Sequence, residues 1–127
     1  MAKYAHSDVL DNGLNAIRNN VVSMLLLKAY AAGDSYATVT GNAICTVTMA
    51  PGDFAISGAD GAARVLTISA KSGTASAGSG AAPNLHIAFT DDVSKVLLVI
   101  DETTDQVVTG GNPVNFPSLT YTSAQPV

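Results

Sequence analysis

The sequence predicts a mostly β protein: an antiparallel β-sandwich or barrel, jelly-roll-like, with one N-terminal α-helix. Runs rich in Val, Ile, Thr and aromatic residues recur about every ten residues and are separated by Gly, Pro, Asn and Asp turns. This spacing is typical of sandwiches and barrels, and it gives eight short strands. Helical periodicity occurs once, over residues 7–20. The length of 127 residues predicts one domain spanning 1–127.

The predicted helix, Ser7 to Asn20, presents a single apolar stripe. Its members recur with helical spacing and are Leu10, Leu14, Ile17 and Val21. Ser7 or Asp8 is the expected N-cap, and His6 is expected to contribute to packing or capping. Because Gly13 weakens the helix by about 1 kcal/mol relative to Ala, docking against a sheet or a partner has to stabilise it. The preceding arm, residues 1–6, is expected to become ordered only on a neighbouring molecule.

The predicted strands alternate with turns along the rest of the chain. They cover residues 22–30, 44–49, 54–57, 64–70, 85–89, 96–100, 106–109 and 114–122. Gly58 to Gly61 predicts a hairpin between the third and fourth of these. The segment Lys71 to Ala82 is almost wholly Ser, Gly, Ala and Thr. It is either a linker or a small-residue strand and loop within one sheet, lying flat against another subunit. We favour the second, because neither flank is long enough to fold well alone.

Composition excludes several classes of function. Six Lys and Arg residues against ten Asp and Glu give a net charge of −4, so no basic stripe for nucleic acid is expected. Charged residues make up 13% of the chain, roughly half the usual share. A surface so poor in charge suggests that partners cover much of it. The longest apolar run, residues 21–32, is too short to span a bilayer, and the first residues lack a signal-peptide core, so we expect synthesis in a cytoplasm and no membrane partner.

The residues that could carry chemistry favour no catalytic, metal or cofactor site. Cys45 lies in a strand pattern and is expected to be buried and unreactive. His86 lacks a spaced nucleophile and acid, so a surface or interface position is favoured over a general base. The acidic residues within 101–105 lack the spacing of a calcium loop, so we interpret this segment as a solvated hairpin tip. The pair Asp91-Asp92 is interpreted in the same way. No glycine pattern matches a phosphate loop or a nucleophile elbow.

The aromatic residues are the main candidates for contacts between molecules. Tyrosine is enriched at interfaces, and the alternation of residues 116–121 is typical of a half-buried strand. A simple core role remains the alternative for that strand. With the arm and the helix stripe, the candidate interface residues are Tyr4, His6, Leu10, Leu14, Ile17, Tyr30, Tyr36, Phe116 and Tyr121.

Several segments together resemble a known class of proteins. These are residues 33–39 (GDSYATV), 52–54 (GDF), 85–88 (LHIA), 95–99 (KVLLV), 101–104 (DETT) and 111–117 (GNPVNFP). From about residue 33 onward the chain resembles small virion structural proteins of tailed bacteriophages, including capsid decoration or cement proteins. The resemblance is a pattern of turns and strands, and no functional residue can be transferred from it.

The resemblance implies a function and partners. It implies a dimer or trimer that binds the major capsid protein on the outside of the phage head and stabilises contacts between capsid subunits. Acidic character favours the exterior over the DNA-filled lumen. The alternative is a tail or fibre module that binds a host-surface carbohydrate, and copy number per particle separates the two. A small hydrolase is a third hypothesis, which the missing catalytic pattern disfavours.

Overall fold

The computed structural model of the protein describes residues 2–102 and 104–127. As predicted, the fold is mostly β, with antiparallel strands and an N-terminal helix. Within those residues there are two α-helices, α1 (Ser7–Asn20) and α2 (Tyr36–Gly41), and a 3-10 turn at Pro51–Asp53. The strands of the described residues are β1 (Ser23–Leu27), β2 (Ala43–Thr48), β3 (Phe54–Ser57), β4 (Arg64–Ile68), β5 (Lys71–Thr74), β6 (His86–Thr90), β7 (Val96–Asp101), β8 (Pro113–Phe116) and β9 (Leu119–Ser123).

The strands form three sheets. The first has the order β2-β1-β6-β7, the second β3-β4-β9 and the third β5-β8. Every pairing is antiparallel. In the part of the chain that the structure describes no sheet closes on itself, so the finer prediction of a sandwich or barrel is not confirmed.

Helix α1 begins and ends where the sequence predicts. The expectation that Ser7 or Asp8 is the N-cap is wrong, because His6 takes that position. The Nδ1 of His6 accepts the Asp8 N–H at 3.1 Å, which confirms the capping role considered for His6. Leu10, Leu14 and Ile17 are buried, on a helix that contacts β3, β4 and β9. The helix stripe is therefore covered by the second sheet of the same chain.

One apolar core joins the helix and all three sheets, and β1 shows why the first sheet has two buried faces. Met24 and Leu26 point into the main core with residues of the other sheets. Leu25 and Leu27 point the other way, into a smaller cluster that contains Val39 of α2. Because side chains alternate along a strand, both faces of β1 carry apolar residues that must be buried. On the face with the smaller cluster, α2 supplies part of the buried contact.

Helix α2 was not predicted from the sequence. Its residues include Thr38, Val39 and Thr40, whose branched side chains favour strands. The helix begins because the Ser35 hydroxyl accepts the Thr38 N–H at 3.2 Å. Burial of Val39 then fixes it on the sheet, and this tertiary contact overrides the local preference.

Two predicted strands are wrong. Residues 106–109 form no strand, and residues 114–122 divide into β8 and β9, which belong to different sheets. Pro117 lies between them, where a residue without an N–H cannot continue a ladder.

The small-residue segment 71–82 packs within the fold. Its first residues form β5, which pairs with β8 and lies against β2. The Ala75 N–H then donates to the Asn112 carbonyl at 2.9 Å, and the Ser76 N–H donates to the Ile44 carbonyl at 2.7 Å. Strand β5 and these two bonds hold residues 71–76 within the fold, as the strand-and-loop interpretation requires.

Candidate functional site

Polar side chains in the interior are satisfied locally. Among the described residues, no group of three or more His, Cys, Asp or Glu side chains could hold a metal ion. Within that same set every buried side-chain nitrogen or oxygen has a hydrogen-bond partner. Cys45 is 1% exposed, as predicted, and burial raises the pKa of its thiol. A thiol with a raised pKa is a weak nucleophile near neutral pH.

His86 lies at the start of β6 in a packed setting. Its ring stands 5.4 Å from that of Tyr30, centroid to centroid. Nδ1 lies 3.1 Å from the Asn84 carbonyl, and Nε2 lies 3.6 Å from an Asp101 carboxylate oxygen. These contacts orient the imidazole against the chain's own β6–β7 pair.

The acids of residues 101–105 are directed to separate partners. Asp101 ends β7 beside His86, whereas Asp105 accepts the Leu85 N–H at 2.8 Å. Glu102 accepts the N–H of Thr104 at 3.3 Å and also its hydroxyl. Thr103, part of the sequence prediction for this turn, lies outside the described residues.

Asp91 and Asp92 organise the turn that leads into β7. One Asp91 oxygen accepts the N–H groups of Val93, Ser94 and Lys95, each at 2.9 Å. These bonds stabilise the carboxylate and lower the pKa of Asp91. Asp92 accepts the hydroxyls of Ser23 and Thr90. Asp91 therefore stabilises the turn itself, whereas Asp92 also joins the turn to Ser23 of β1.

The N-terminal arm docks onto its own chain, whereas the sequence led us to expect a neighbour. The Tyr4 hydroxyl donates to Asp60 at 2.7 Å, and the Ser7 N–H donates to the same carboxylate at 2.9 Å. The Ala5 N–H and carbonyl both bond the Gln125 amide, at 2.8 and 3.0 Å. Residues 2–6 therefore join the β3–β4 hairpin to the segment after β9.

The remaining candidate interface residues differ in exposure. Tyr4 is 58% and Tyr121 43% exposed, whereas Phe116 is buried in the main core. Tyr30 and Tyr36 are half-buried. Leu10, Leu14 and Ile17 are covered by this chain's own sheet, so they offer a partner little surface.

The open edge of β7 is the most distinctive surface. Residues 96–100 read Val-Leu-Leu-Val-Ile, and all five are half-buried. In the described part of the chain no strand pairs with their outer side. A shallow groove of about 460 Å³ runs along residues 96–99, and its other walls are Tyr30, Gly33 and Asp34. We call residues 95–102 with these three walls the β7 edge surface.

A second recess lies over the main core. It is a cleft of about 450 Å³ whose floor includes Leu26, Ile87 and Phe116. Its rim carries the amide side chains of Gln106, Asn112 and Asn115. The combination of an apolar floor and polar rim is typical of small-molecule sites.

Sequence reasoning found strand β7 but not its position at an edge. A run of apolar residues without alternation is typical of a strand buried on both faces. The order of strands in a sheet depends on long-range pairing, which the local pattern does not encode. The sequence feature that could have indicated the edge position is an unbroken apolar run flanked by charges at Lys95, Asp101 and Glu102.

Comparison with models of known protein families, with curated protein sequences and with solved structures finds no match.

Proposed function

We propose that this protein is a bacteriophage virion structural protein, a capsid decoration or cement protein. It binds the outside of the head and stabilises contacts between major capsid protein subunits, as a dimer or trimer. The observation that carries the proposal is the β7 edge surface, an apolar strand edge on a chain with few charges. Strand edges of this kind recruit other chains by main-chain hydrogen bonding.

The distribution of polar groups supports an assembly role. The acids at Asp60, Asp91 and Asp105 hold backbone N–H groups of their own chain. The Arg64 guanidinium bonds the Asp11 carboxylate at 2.8 Å. These groups rigidify loops and so present fixed surfaces to neighbours, and a rigid surface loses little entropy on binding.

The net charge supports an exterior position. Six cations against ten acids give −4, which disfavours contact with packaged DNA. A cement protein acts through many copies, so modest contacts repeated around a lattice give large collective stabilisation.

The alternative is a tail or fibre module that binds a host-surface carbohydrate. The cleft over the main core favours it, because the amides of Gln106, Asn112 and Asn115 can bond sugar hydroxyls. Its one aromatic floor residue, Phe116, is 2% exposed, so it offers a sugar ring little stacking area.

Quantitative mass spectrometry of gradient-purified particles tests the proposal. A decoration protein is present at about one copy per major capsid protein, or at a simple fraction of that ratio, because it occupies repeated lattice positions. A few copies per particle would favour the tail or fibre module. Absence from particles would overturn both.

A further inference from the structure

The edge of β7 differs from the edge that β9 forms in the second sheet. In β9 the exposed positions are Thr120, Tyr121 and Thr122, which are polar or hold a hydroxyl. In β7 residues 96–100 are all aliphatic. At the opposite side of the same sheet, β2 lies against β5. Natural edges are usually protected by charge, proline or a cover, so an aliphatic edge indicates a partner.

The backbone of β7 offers hydrogen-bonding groups on its open side. The Glu102 N–H donates inward to the Leu85 carbonyl at 3.0 Å. Because successive residues of an antiparallel strand point their N–H and C=O groups to opposite sides, those of Asp101 and Val99 point away from β6. These are the groups that a further strand would bond.

The charges at the ends of β7 select the orientation of that strand. Lys95 precedes the strand, and Asp101 and Glu102 end it. No ion pair of Lys95 is present among the described residues. A second copy of β7 laid antiparallel brings each lysine to the acidic end of the other strand. A parallel copy instead places like charges side by side, which is unfavourable.

The apolar faces also continue across such a pair. Leu98 and Ile100 pack against the main core, whereas Val99 and Val96 pack against the smaller cluster. With Val99 opposite the partner's Val99, Leu98 lies opposite the partner's Ile100 on the main-core face. The β-bulge of β7 near Leu97 then sets Lys95 beside the partner's Glu102.

We propose that β7 is the interface between two copies of this chain, which pair edge to edge and antiparallel about a two-fold axis. Lys95 of each copy then lies beside the acidic end of β7 in the other copy, and the two four-stranded sheets become one. The interface is isologous, so it closes as a dimer and does not extend into a fibre. This inference selects the dimer from the two assemblies named above, and it does not depend on the virion assignment.

Sedimentation velocity of the full chain at several concentrations tests the assembly. We expect a species of twice the 12.8 kDa chain mass. Lys95→Glu should raise the Kd of the dimer by about tenfold, because it replaces two attractive contacts by two repulsive ones. Asp101→Lys with Glu102→Lys should weaken the dimer likewise, and combining all three substitutions should restore it. Lys3→Glu, the same charge change on the arm, is the matched control.

Amide hydrogen exchange locates the interface. The N–H groups of Val99 and Asp101 should become protected as concentration rises, and the Lys95→Glu variant should lose that protection. A monomer or a trimer at every concentration would overturn the proposal. So would a dimer that is insensitive to the charge exchange, or protection of Val99 only when another protein is added. Because the copy number in particles is measured separately, a monomeric result would leave the proposed virion role open to its own test.

Discussion

Several aspartate carboxylates accept hydrogen bonds in the folded chain, and these bonds lower their pKa values. Lys71 and the Ala50 N–H lower the pKa of Asp53, chiefly through the Lys71 hydrogen bond. The Tyr4 hydroxyl and the Ser7 N–H lower the pKa of Asp60. With Asp91, these carboxylates are stabilised in their charged form by the fold. Folding therefore favours their ionised state, and acid is expected to weaken the native structure.

Asp91→Asn tests this at the most fully bonded carboxylate. Its native pKa lies below that of the unfolded chain, so the unfolded chain binds the proton more readily. The stabilisation is complete above the ordinary aspartate pKa and is lost as pH falls through the lowered native value. We expect the variant to be less stable near neutral pH and to lose less stability on acidification, measured by urea unfolding across pH.

Asp8→Asn is the control for this measurement, because it removes one carboxylate whose side chain is 88% exposed and which accepts no backbone N–H among the described residues. Parallel stability profiles for wild type and Asp91→Asn would contradict the assigned role of the three backbone hydrogen bonds.

Gly73 shows how a missing side chain positions two strands. A Cβ there would lie 2.9 Å from Val47 Cγ2 and 3.0 Å from Cys45 Sγ. Gly73→Val should therefore lower the free energy of unfolding by about 1–3 kcal/mol through overpacking. Gly52→Val has no atom within 4 Å of its added Cβ, so it should change stability little. Equal effects in urea unfolding would show that β5 does not pack closely on β2.

At the scale of elements, docking decides which segments are helical. Helix α1 contains Gly13 and yet forms because Leu14 and Ile17 are buried on the second sheet. Helix α2 has six residues, too few for an isolated helix, and depends on the burial of Val39. In both helices tertiary contact supplies the stability that local propensity lacks.

Leu14→Ala tests the docking of α1. Leu14 is 0% exposed, so truncation should cost about 2–5 kcal/mol by loss of burial and creation of a cavity. Val9→Ala on the same helix is the matched control, because Val9 is 64% exposed. A similar small effect for both in chemical denaturation would mean that the helix stripe is not held against the sheet.

At the scale of the whole molecule, hydrogen bonds join the N-terminal arm to the segment after β9. Gln125 bonds both backbone groups of Ala5 and also the Ala62 carbonyl in the β3–β4 hairpin. These are exposed or partly buried contacts between segments distant in sequence. They fix the arm without adding to the apolar core, so the arm is expected to open locally while the core stays folded.

Gln125→Ala tests whether these hydrogen bonds keep the arm docked. We expect faster hydrogen exchange at the Ala5 amide, because its acceptor is removed, with little change in Tm. The amide of Leu26, at the centre of the first sheet, is the internal control. Rapid exchange at the Ala5 amide in the isolated wild-type chain would contradict this prediction. It would support the earlier expectation that the arm becomes ordered only on a neighbouring molecule.

Local pattern determined much of the fold. The spacing of Leu10, Leu14 and Ile17 predicted α1 with its exact residues, because a buried helix face repeats every three or four positions. The turn at residues 58–61 and the strand residues around it predicted the β3–β4 hairpin, because glycine allows the backbone that a tight turn needs. Burial of Cys45 followed from its strand pattern.

Only the tertiary structure decided the rest, because it depends on pairing between distant segments. Strand order placed the aliphatic β7 at an edge, and two sheets divided the predicted strand at residues 114–122. The cover supplied by Val39 made α2 a helix, and Gln125 and Asp60 held the arm on its own chain. A local sequence window records which residues favour burial, whereas the fold determines which surface buries them and which surface remains open.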